Sequence, residues 1–287
     1  MFAAVGGSFD KWKTGTPEFD AGVQAWTRFW AGHAKTKGLE SEQLAWLIVD
    51  EPHALEQDAV ILAWATAIRA AGTGIRVWED PVYGDMSKAN QDMVAACHVL
   101  CPNRLIFLRA RQSYRDYFVE QRNRGIALEF YSCSGPARLL DPYAYYRLQA
   151  WTCWRYGAQA MHFWAFSDAS GASSWNEYLV KRNAYTPLFL DATTVVAGKQ
   201  MEACREGVED YEYFVMLREA IDQAAQRGAD DALLERARAL LTERPAEVCE
   251  AGKSTTMRWH DADVDRAVAD QARTEVIETL TALQGGH

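Results

Sequence analysis

Residues 45–53 read Ala-Trp-Leu-Ile-Val-Asp-Glu-Pro-His, an apolar run that ends in two adjacent carboxylates. A strand that is covered on both faces is apolar throughout, so the run predicts a buried strand of a parallel sheet over Ala45–Asp50. Pro52 restricts Glu51 to an extended, non-helical backbone, which lets the chain turn out of the sheet. The stretch therefore predicts an α/β fold with a pair of acids at the carboxyl end of a strand, where such folds gather functional groups.

Outward from this strand, short apolar runs alternate with longer amphipathic stretches, which predicts successive strand–helix units. Thr16 and Pro17 mark the start of the first helix, because threonine can cap a first turn and proline fits it. Apolar residues of this helix then recur every three or four positions, as one face of a helix requires. They are Phe19, Val23, Trp26 and Trp30. Further strands are predicted at Ile75–Asp80, His98–Cys101, Ile126–Ser132 and Gln159–Phe166, and further helices at 54–71, 86–96, 112–124 and 142–156.

The pattern changes after residue 166. Residues 167–200 are rich in loops, with one weak strand near Thr193–Val196, and the chain reads as helical from residue 200 onward. Two further helices are predicted there, at 230–243 and 263–283.

The strand count bears on the fold class. Five clear strands and one weak strand are fewer than the eight of a closed β/α barrel, and Phe2–Val5 could add one more. We predict an α/β fold of the TIM-type (β/α) barrel over 1–200, with a helical C-terminal segment over 201–287 packed on it. Either the barrel is incomplete at its N-terminus, or the chain is the C-terminal portion of a longer ancestral protein. A doubly wound open sheet is the alternative, although no glycine-rich nucleotide motif supports it.

Composition excludes several classes of function. Lys and Arg number 30 against 39 Asp and Glu, a net charge of −9, which argues against a general nucleic-acid binder because that needs a basic face. No apolar run approaches the roughly 20 residues of a membrane span, and no secretory signal is visible, so we expect a cytoplasmic protein, or a secreted or periplasmic one if an N-terminal segment is missing. The six cysteines form no CxxC pair and no zinc spacing, so neither a metal nor a cofactor is predicted.

Acids and aromatic rings gather near the predicted strand ends. The carboxyl ends carry Asp50-Glu51, Glu79-Asp80, Cys101-Pro102-Asn103, Tyr131-Ser132 and Ser167-Asp168. Aromatic side chains lie close to them in sequence, namely Trp78, Tyr83, Trp164, Trp175 and Tyr178. A cleft of acids and rings with little basic charge suits a neutral polyhydroxylated ligand, since aromatic rings stack on the C–H faces of sugars. The predicted ligand is therefore a carbohydrate.

The Asp50-Glu51 pair is the sharpest of these features. Neighbouring strand residues point to opposite faces, so both acids face one cleft only if Glu51 has left the strand. Crowding them would raise the pKa of one carboxyl group through repulsion and desolvation, as a general acid requires at neutral pH. Acids before a proline also cap helices, and capping stays open for this pair and for Glu79-Asp80-Pro81.

Four stretches together resemble a known family. They are Leu47-Ile48-Val49-Asp50-Glu51-Pro52-His53, Trp78-Glu79-Asp80-Pro81, Phe163-Trp164-Ala165-Phe166-Ser167-Asp168, and Glu202 to Tyr213 with its Arg205-Glu206-Gly207-Val208-Glu209-Asp210-Tyr211-Glu212-Tyr213 run. The last is similar to an R-x-G-x-x-D-Y-E-Y helix. The family is glycoside hydrolase family 123, with its relatives of domain of unknown function 4091, and the resemblance runs from about residue 40 to about residue 225.

The resemblance implies retaining, substrate-assisted hydrolysis of β-linked N-acetylhexosamine, with N-acetylgalactosamine as the expected sugar. It makes Glu51 the acid that protonates the leaving oxygen and later activates water, and Asp50 the group that orients the 2-acetamido group and stabilises the oxazolinium intermediate. Because the sugar's own carbonyl oxygen is the nucleophile, no second catalytic carboxylate at about 5 Å is needed. Beside these catalytic residues we place a sugar subsite, formed by Trp78, Asp80, Tyr131, Trp164, Asp168, Trp175 and Tyr178.

Two other functions stay open. Glu51 could act with Asp80 or Asp168 as the conventional carboxylate pair of a glycosidase of another specificity. Alternatively, the chain could be a non-catalytic carbohydrate-binding or structural module, since a fold does not by itself imply a function.

Overall fold

The computed structural model describes residues 7–169, 171, 173–176 and 184–285. The chain divides into two compact units, Met1–Tyr131 and Ser132–His287, which we call the N-terminal unit and the C-terminal unit. The strand predicted at Phe2–Val5 lies outside the described residues. The division predicted at residue 200, between a barrel and a helical segment, stays a prediction.

The N-terminal unit is built around a parallel sheet. Its four strands lie in the order β3-β4-β5-β6, and each pairs in parallel with its neighbour. Its elements are β1 (Ser8–Phe9), β2 (Trp12–Lys13), α1 (Pro17–Thr36), β3 (Ala45–Leu47), α2 (Leu55–Ala70), β4 (Arg76–Glu79), α3 (Gln91–Ala96), β5 (Val99–Leu100), α4 (Arg104–Arg109), α5 (Gln112–Asn123) and β6 (Ala127–Leu128). A mixed α/β fold with a parallel sheet is therefore confirmed, whereas closure into a barrel stays a prediction.

Helix α1 confirms the start that the sequence predicts. The Thr16 hydroxyl oxygen accepts the amide N–H of Phe19 at 3.3 Å, and Pro17 occupies the first turn. On the predicted apolar face, Phe19 and Val23 are fully buried and Trp26 is half-buried. The Trp26 ring lies 4.0 Å from the ring of Trp46 in β3, so the helix packs on the sheet through aromatic contacts.

Strands β3 and β4 are shorter than predicted, and after β3 a side-chain carboxylate replaces part of the ladder. After Leu47, the amide N–H of Ile48 is donated to Glu79 Oε1 at 2.9 Å rather than to a neighbouring strand. A carboxylate is a strong acceptor for a backbone amide, so the segment after β3 is held beside β4 without regular pairing. This frees the chain to bend before residues 50 and 51.

Two helices of this unit depart from the prediction, and an asparagine accounts for each. The helix predicted over 86–96 is interrupted at Asn90, which caps α3 and separates it from a 3-10 turn at Met86–Lys88. Helix α4 is not predicted from the sequence, and the Asn103 side-chain oxygen caps it by accepting the amides of Leu105 and Ile106. Asparagine is among the best N-cap residues, so Asn103 is the signal that could have revealed α4.

The C-terminal unit is mainly helical. β7 (Phe130–Cys133), whose last two residues begin this unit, forms a two-stranded sheet with β8 (Met161–Trp164). The helix predicted over 142–156 is a π-helical turn at Pro142–Arg147 followed by an α-helix. The remaining elements are α6 (Leu148–Tyr156), β9 (Leu188–Leu190), β10 (Val195–Ala197), α7 (Lys199–Gln226), α8 (Asp231–Thr242), α9 (Arg244–Ala251) and α10 (Val268–Gly285). Within the described residues, no helix combines the length and the apolar character that crossing a bilayer requires.

The Arg-x-Gly-x-x-Asp motif of α7 is structural. Asp210 is 1% exposed and accepts hydrogen bonds from Arg147 Nε at 2.8 Å, Trp151 Nε1 at 2.7 Å and Arg273 Nε at 2.5 Å. A Cβ atom at Gly207 would lie 2.5 Å from the carbonyl oxygen of Arg147, so only glycine allows this approach. The motif thus joins α7 to the π-helical turn and to α10.

We expect Asp210→Ala to lower the free energy of unfolding by roughly 3–5 kcal/mol, because it leaves the buried guanidinium of Arg147 with too few anionic partners. Urea denaturation followed by tryptophan fluorescence measures this loss. The control is Asp222→Ala on the exposed side of α7, which should change the value by less than about 0.5 kcal/mol. Equal effects of the two substitutions would contradict the assignment.

Candidate active site

The carboxyl edge of the parallel sheet collects the polar side chains of the N-terminal unit. Asp50 and Glu51 follow β3, Glu79 ends β4, and Asp80 comes directly after β4. Beyond β5 and β6, Asn103 and Tyr131 form an isolated parallel bridge that continues the sheet at this edge. The parallel register explains the gathering, since strands that run the same way end at the same edge.

Glu51 has a backbone conformation that the sequence does not predict. Its φ is +50°, so the extended conformation expected before Pro52 is wrong. This left-handed region costs a residue with a Cβ atom roughly 1–2 kcal/mol. The amide N–H of Glu51 is donated to Asp80 Oδ1 at 2.9 Å, and its carbonyl oxygen lies 2.8 Å from His53 Nδ1. These contacts hold the strained backbone, and strain of this kind is concentrated at functional sites.

The Glu51 side chain is exposed, and one of its carboxylate oxygens is held by a tyrosine. The Tyr131 hydroxyl donates to Glu51 Oε1 at 2.5 Å. Burial and the negative charge of Glu51 raise the pKa of Tyr131, so its hydroxyl keeps the proton that it donates. A side-chain hydrogen bond with Asn103 acts on the pKa of Tyr131 in the opposite direction. The hydrogen bond from Tyr131 orients the carboxylate.

Asp50 is also exposed, although its carboxyl group is crowded. Desolvation is the main cause that raises its pKa, and the negative charge of Glu51 adds to it. A side-chain hydrogen bond with Asp80 acts in the opposite direction. The two adjacent acids thus present both side chains at the surface of one sheet edge.

Asp80 lies beneath this pair. It is 4% exposed, and burial is the main cause that raises its pKa to about 7, with the charges of Asp50 and Glu51 adding to the rise. Its hydrogen bond from the Glu51 amide lowers the value. The sequence places Asp80 in the sugar subsite, and in the structure its carboxyl group accepts the amide of Glu51.

The capping interpretation of the acid pairs is wrong. Helix α2 begins after Ala54 and has no side-chain cap, so neither Asp50 nor Glu51 caps it. Asp85 and Asn90 cap the next two helical turns, in place of Glu79 and Asp80. The buried Glu79 instead accepts the backbone amides of Ile48 and Val49. Burial raises the pKa of Glu79 well above its ordinary value.

Trp78 of β4 is half-buried, and its ring nitrogen donates to Glu129 Oε2 at 2.7 Å. Glu129 also lies near the thiol of Cys101, with ligand atoms within 4.8 Å of each other. The prediction that Trp78 lines a sugar subsite stays a prediction, as does the absence of a metal.

The remaining predicted site residues belong to the C-terminal unit. Trp164 is 48% exposed, and its ring nitrogen donates to Asp168 Oδ2 at 3.2 Å. Trp175 is 54% exposed and stacks on Phe189, with ring centroids 4.9 Å apart. Tyr178 lies outside the described residues. Exposed indole rings beside a carboxylate are typical of sugar-binding surfaces. The binding roles of Trp164, Asp168, Trp175 and Tyr178 stay predictions.

Comparison with known proteins supports the fold. No protein-family model matches the sequence, and no curated protein matches it. The structure is similar to that of a family 123 glycoside hydrolase from Clostridium perfringens, studied for glycolipid glycan hydrolysis, with a TM-score of 0.53 and 9% sequence identity. The match covers 94% of this chain and 46% of that chain, so this chain spans about half the length of its relative. The resemblance to family 123 that the sequence motifs predict is therefore confirmed at the level of the fold.

Substitutions at Glu51 test the backbone strain. We expect Glu51→Gly to be about 1 kcal/mol more stable to urea than Glu51→Ala, because glycine adopts a positive φ without steric cost. Both variants lack the carboxylate, so the comparison isolates the backbone. The idea fails if the alanine variant is as stable as the glycine variant.

The pH dependence of stability tests the burial of Asp80. Its folded-state pKa of about 7 lies above the ordinary value of 3.8. The folded chain therefore binds more protons than the unfolded chain between these values, and this group lowers the free energy of unfolding as the pH rises from about 4 to about 7. Asp80→Asn has no proton to lose, so its stability relative to wild type should increase across that window and level off above it. Urea denaturation at a series of pH values measures the difference, and a constant difference would refute the assignment.

Proposed function

We propose that this protein is a retaining glycoside hydrolase that cleaves β-linked N-acetylhexosamine, with N-acetylgalactosamine as the first candidate, by substrate assistance. The observation that carries the proposal is the pair of adjacent, exposed carboxyl groups of Asp50 and Glu51 at the carboxyl edge of the sheet. The likeness to the family 123 fold supports it. Carbohydrate is therefore the proposed substrate class.

Glu51 is the proposed acid and base. A general acid must reach the leaving oxygen, and the Glu51 side chain is exposed where a substrate would bind. The Tyr131 hydroxyl holds Oε1, so Oε2 is the oxygen that would carry the transferable proton. The proton moves to the glycosidic oxygen as the C–O bond breaks, and the resulting carboxylate then takes a proton from the attacking water.

Asp50 is the proposed partner of the substrate's acetamide. The acetamide carbonyl oxygen attacks the anomeric carbon and forms a cyclic oxazolinium ion that carries a positive charge. An Asp50 carboxylate accepts the acetamide N–H and stabilises that charge, which is electrostatic stabilisation of a developing ion. Because the nucleophile belongs to the substrate, the protein needs one acid and one stabilising anion.

A conventional carboxylate pair gains less support. Asp80 is buried and accepts the Glu51 amide, so it would have to give up this contact to reach an anomeric carbon.

The barrel and the sugar subsite belong to the same proposal. We place the parallel sheet in a TIM-type (β/α) barrel, with the helical segment over 201–287 packed on it. The resemblance to a longer family 123 structure supports this arrangement. Trp78, Trp164, Asp168, Trp175 and Tyr178 are the proposed contacts of the sugar subsite.

Kinetics on aryl N-acetyl-β-galactosaminides test the proposal. We expect Glu51→Gln to reduce kcat/KM by roughly 10²–10⁴-fold for a poor leaving group, the usual contribution of a general acid, and far less for dinitrophenol, which needs no proton. Asp50→Asn should cost roughly 100-fold or more with either leaving group, because the intermediate loses its counter-charge.

Matched controls and a second substrate decide the outcome. Glu56→Gln and Asp92→Asn change exposed acids of α2 and α3 and should leave kcat/KM unaltered. The aryl β-galactoside, which lacks the acetamide, should not be hydrolysed. Full turnover by Glu51→Gln would end the proposal, galactoside hydrolysis would favour a conventional pair, and sugar binding without turnover would indicate a binding module.

A further inference from the structure

The loop that carries Glu51 has a partner for each backbone polar group from the Glu51 amide to the His53 amide. The buried carboxyl group described above accepts the Glu51 amide. The Pro52 carbonyl oxygen accepts the amide N–H of Val82 at 3.0 Å, and the His53 amide is donated to Gln57 Oε1 at 2.9 Å. The Glu51 carbonyl oxygen lies 2.8 Å from Nδ1 of His53, so its partner is an exposed ring of the loop itself.

We infer that His53 is a positioning residue, whose Nδ1–H holds the backbone of Glu51 in the conformation that presents its carboxyl group to a substrate. The bond between the two residues is independent of the reaction, whereas its catalytic consequence rests on the proposed function. His53 itself needs no contact with the substrate for this role.

The contact fixes the tautomer of the His53 ring. A carbonyl oxygen only accepts hydrogen bonds, so the hydrogen of this bond must be on Nδ1. In the neutral ring the other nitrogen, Nε2, then carries no hydrogen. In the protonated ring both nitrogens carry one, so the bond to Glu51 forms in either state of the ring.

The backbone strain at Glu51 makes this bond important. A φ of +50° is unfavourable for a residue with a Cβ atom, and it persists only where surrounding contacts hold it. The bonds at the amide and at the carbonyl oxygen of Glu51 hold the two peptide planes that flank its Cα atom. Removal of the His53 ring releases the second plane, so the Glu51 side chain changes direction while its amide stays bonded.

Nitrogen NMR of protein labelled with ¹⁵N at histidine tests the bond directly and needs no activity. The His53 signals are assigned by their absence from the spectrum of His53→Asn. We expect the neutral His53 ring to carry its hydrogen on Nδ1 and none on Nε2, because the bond selects that tautomer. A neutral ring with its hydrogen on Nε2 would overturn the inference.

Substitutions at His53 test the catalytic consequence. His53→Ala should lower kcat/KM for phenyl N-acetyl-β-galactosaminide by roughly 10–100-fold, the cost of misplacing a catalytic group. It should lower kcat/KM far less for the dinitrophenyl substrate, whose leaving group needs no acid.

Two amide side chains at position 53 separate positioning from a general loss of structure. His53→Asn should restore most of the loss, because its amide nitrogen is as many bonds from Cα as Nδ1 of histidine. His53→Gln places that nitrogen one bond farther away and should behave like His53→Ala. The control His33→Ala changes an exposed histidine of α1 and should leave kcat/KM unaltered.

The spectrum and the kinetics distinguish failure of the proposed function from failure of the inference. If the wild type hydrolyses neither substrate, the proposed function fails and the catalytic role of His53 fails with it, while the tautomer still decides whether the ring holds Glu51. If the enzyme is active, equal losses by His53→Ala with both leaving groups would show that the positioning role is wrong. Failure of asparagine to exceed glutamine at this position would also overturn it.

Discussion

The bond from the Glu51 amide to the buried carboxyl group of Asp80 is the constraint on which the candidate site depends. On a regular strand, residues 50 and 51 would point to opposite faces of the sheet. The positive φ of Glu51 breaks that alternation, and both side chains are exposed at the sheet edge. A left-handed glutamate is unfavourable in isolation, so a well-placed acceptor beneath it is what makes this arrangement stable.

Buried acids below the exposed pair accept hydrogen bonds from backbone amides and a hydroxyl group. Glu79 holds the amides of Ile48 and Val49, and so replaces the strand ladder just before the turn. Deeper in the unit, the buried Asp58 accepts the Tyr83 hydroxyl at 2.8 Å and the Asn90 amide at 2.7 Å. Each of these groups binds backbone or hydroxyl donors rather than a cation. Burial without a counter-charge favours the protonated form of a carboxyl group, which is why Glu79 and Asp80 both have raised pKa values.

Part of this structure could be predicted from the sequence, because it rests on local signals. The apolar run before Asp50 indicates a covered strand, and Thr16 with Pro17 indicates where α1 begins. The strand ends could not be predicted, since Glu79 competes for the amide of Ile48 from 31 positions away. The positive φ of Glu51 likewise depends on Asp80, which follows on the next strand. Gly207 and Asp210 are visible as a motif, but their structural function depends on contacts with Arg147 and Arg273 that no spacing reveals.

The central claim is that Asp50 and Glu51 cleave a glycosidic bond with the help of the substrate's acetamide. Proton NMR of the sugar released from an aryl N-acetyl-β-galactosaminide, recorded before the anomers equilibrate, tests this most directly. Attack by the acetamide and then by water inverts the anomeric carbon twice, so the account predicts that the β anomer appears first. Release of the α anomer, or no hydrolysis at all, would contradict it.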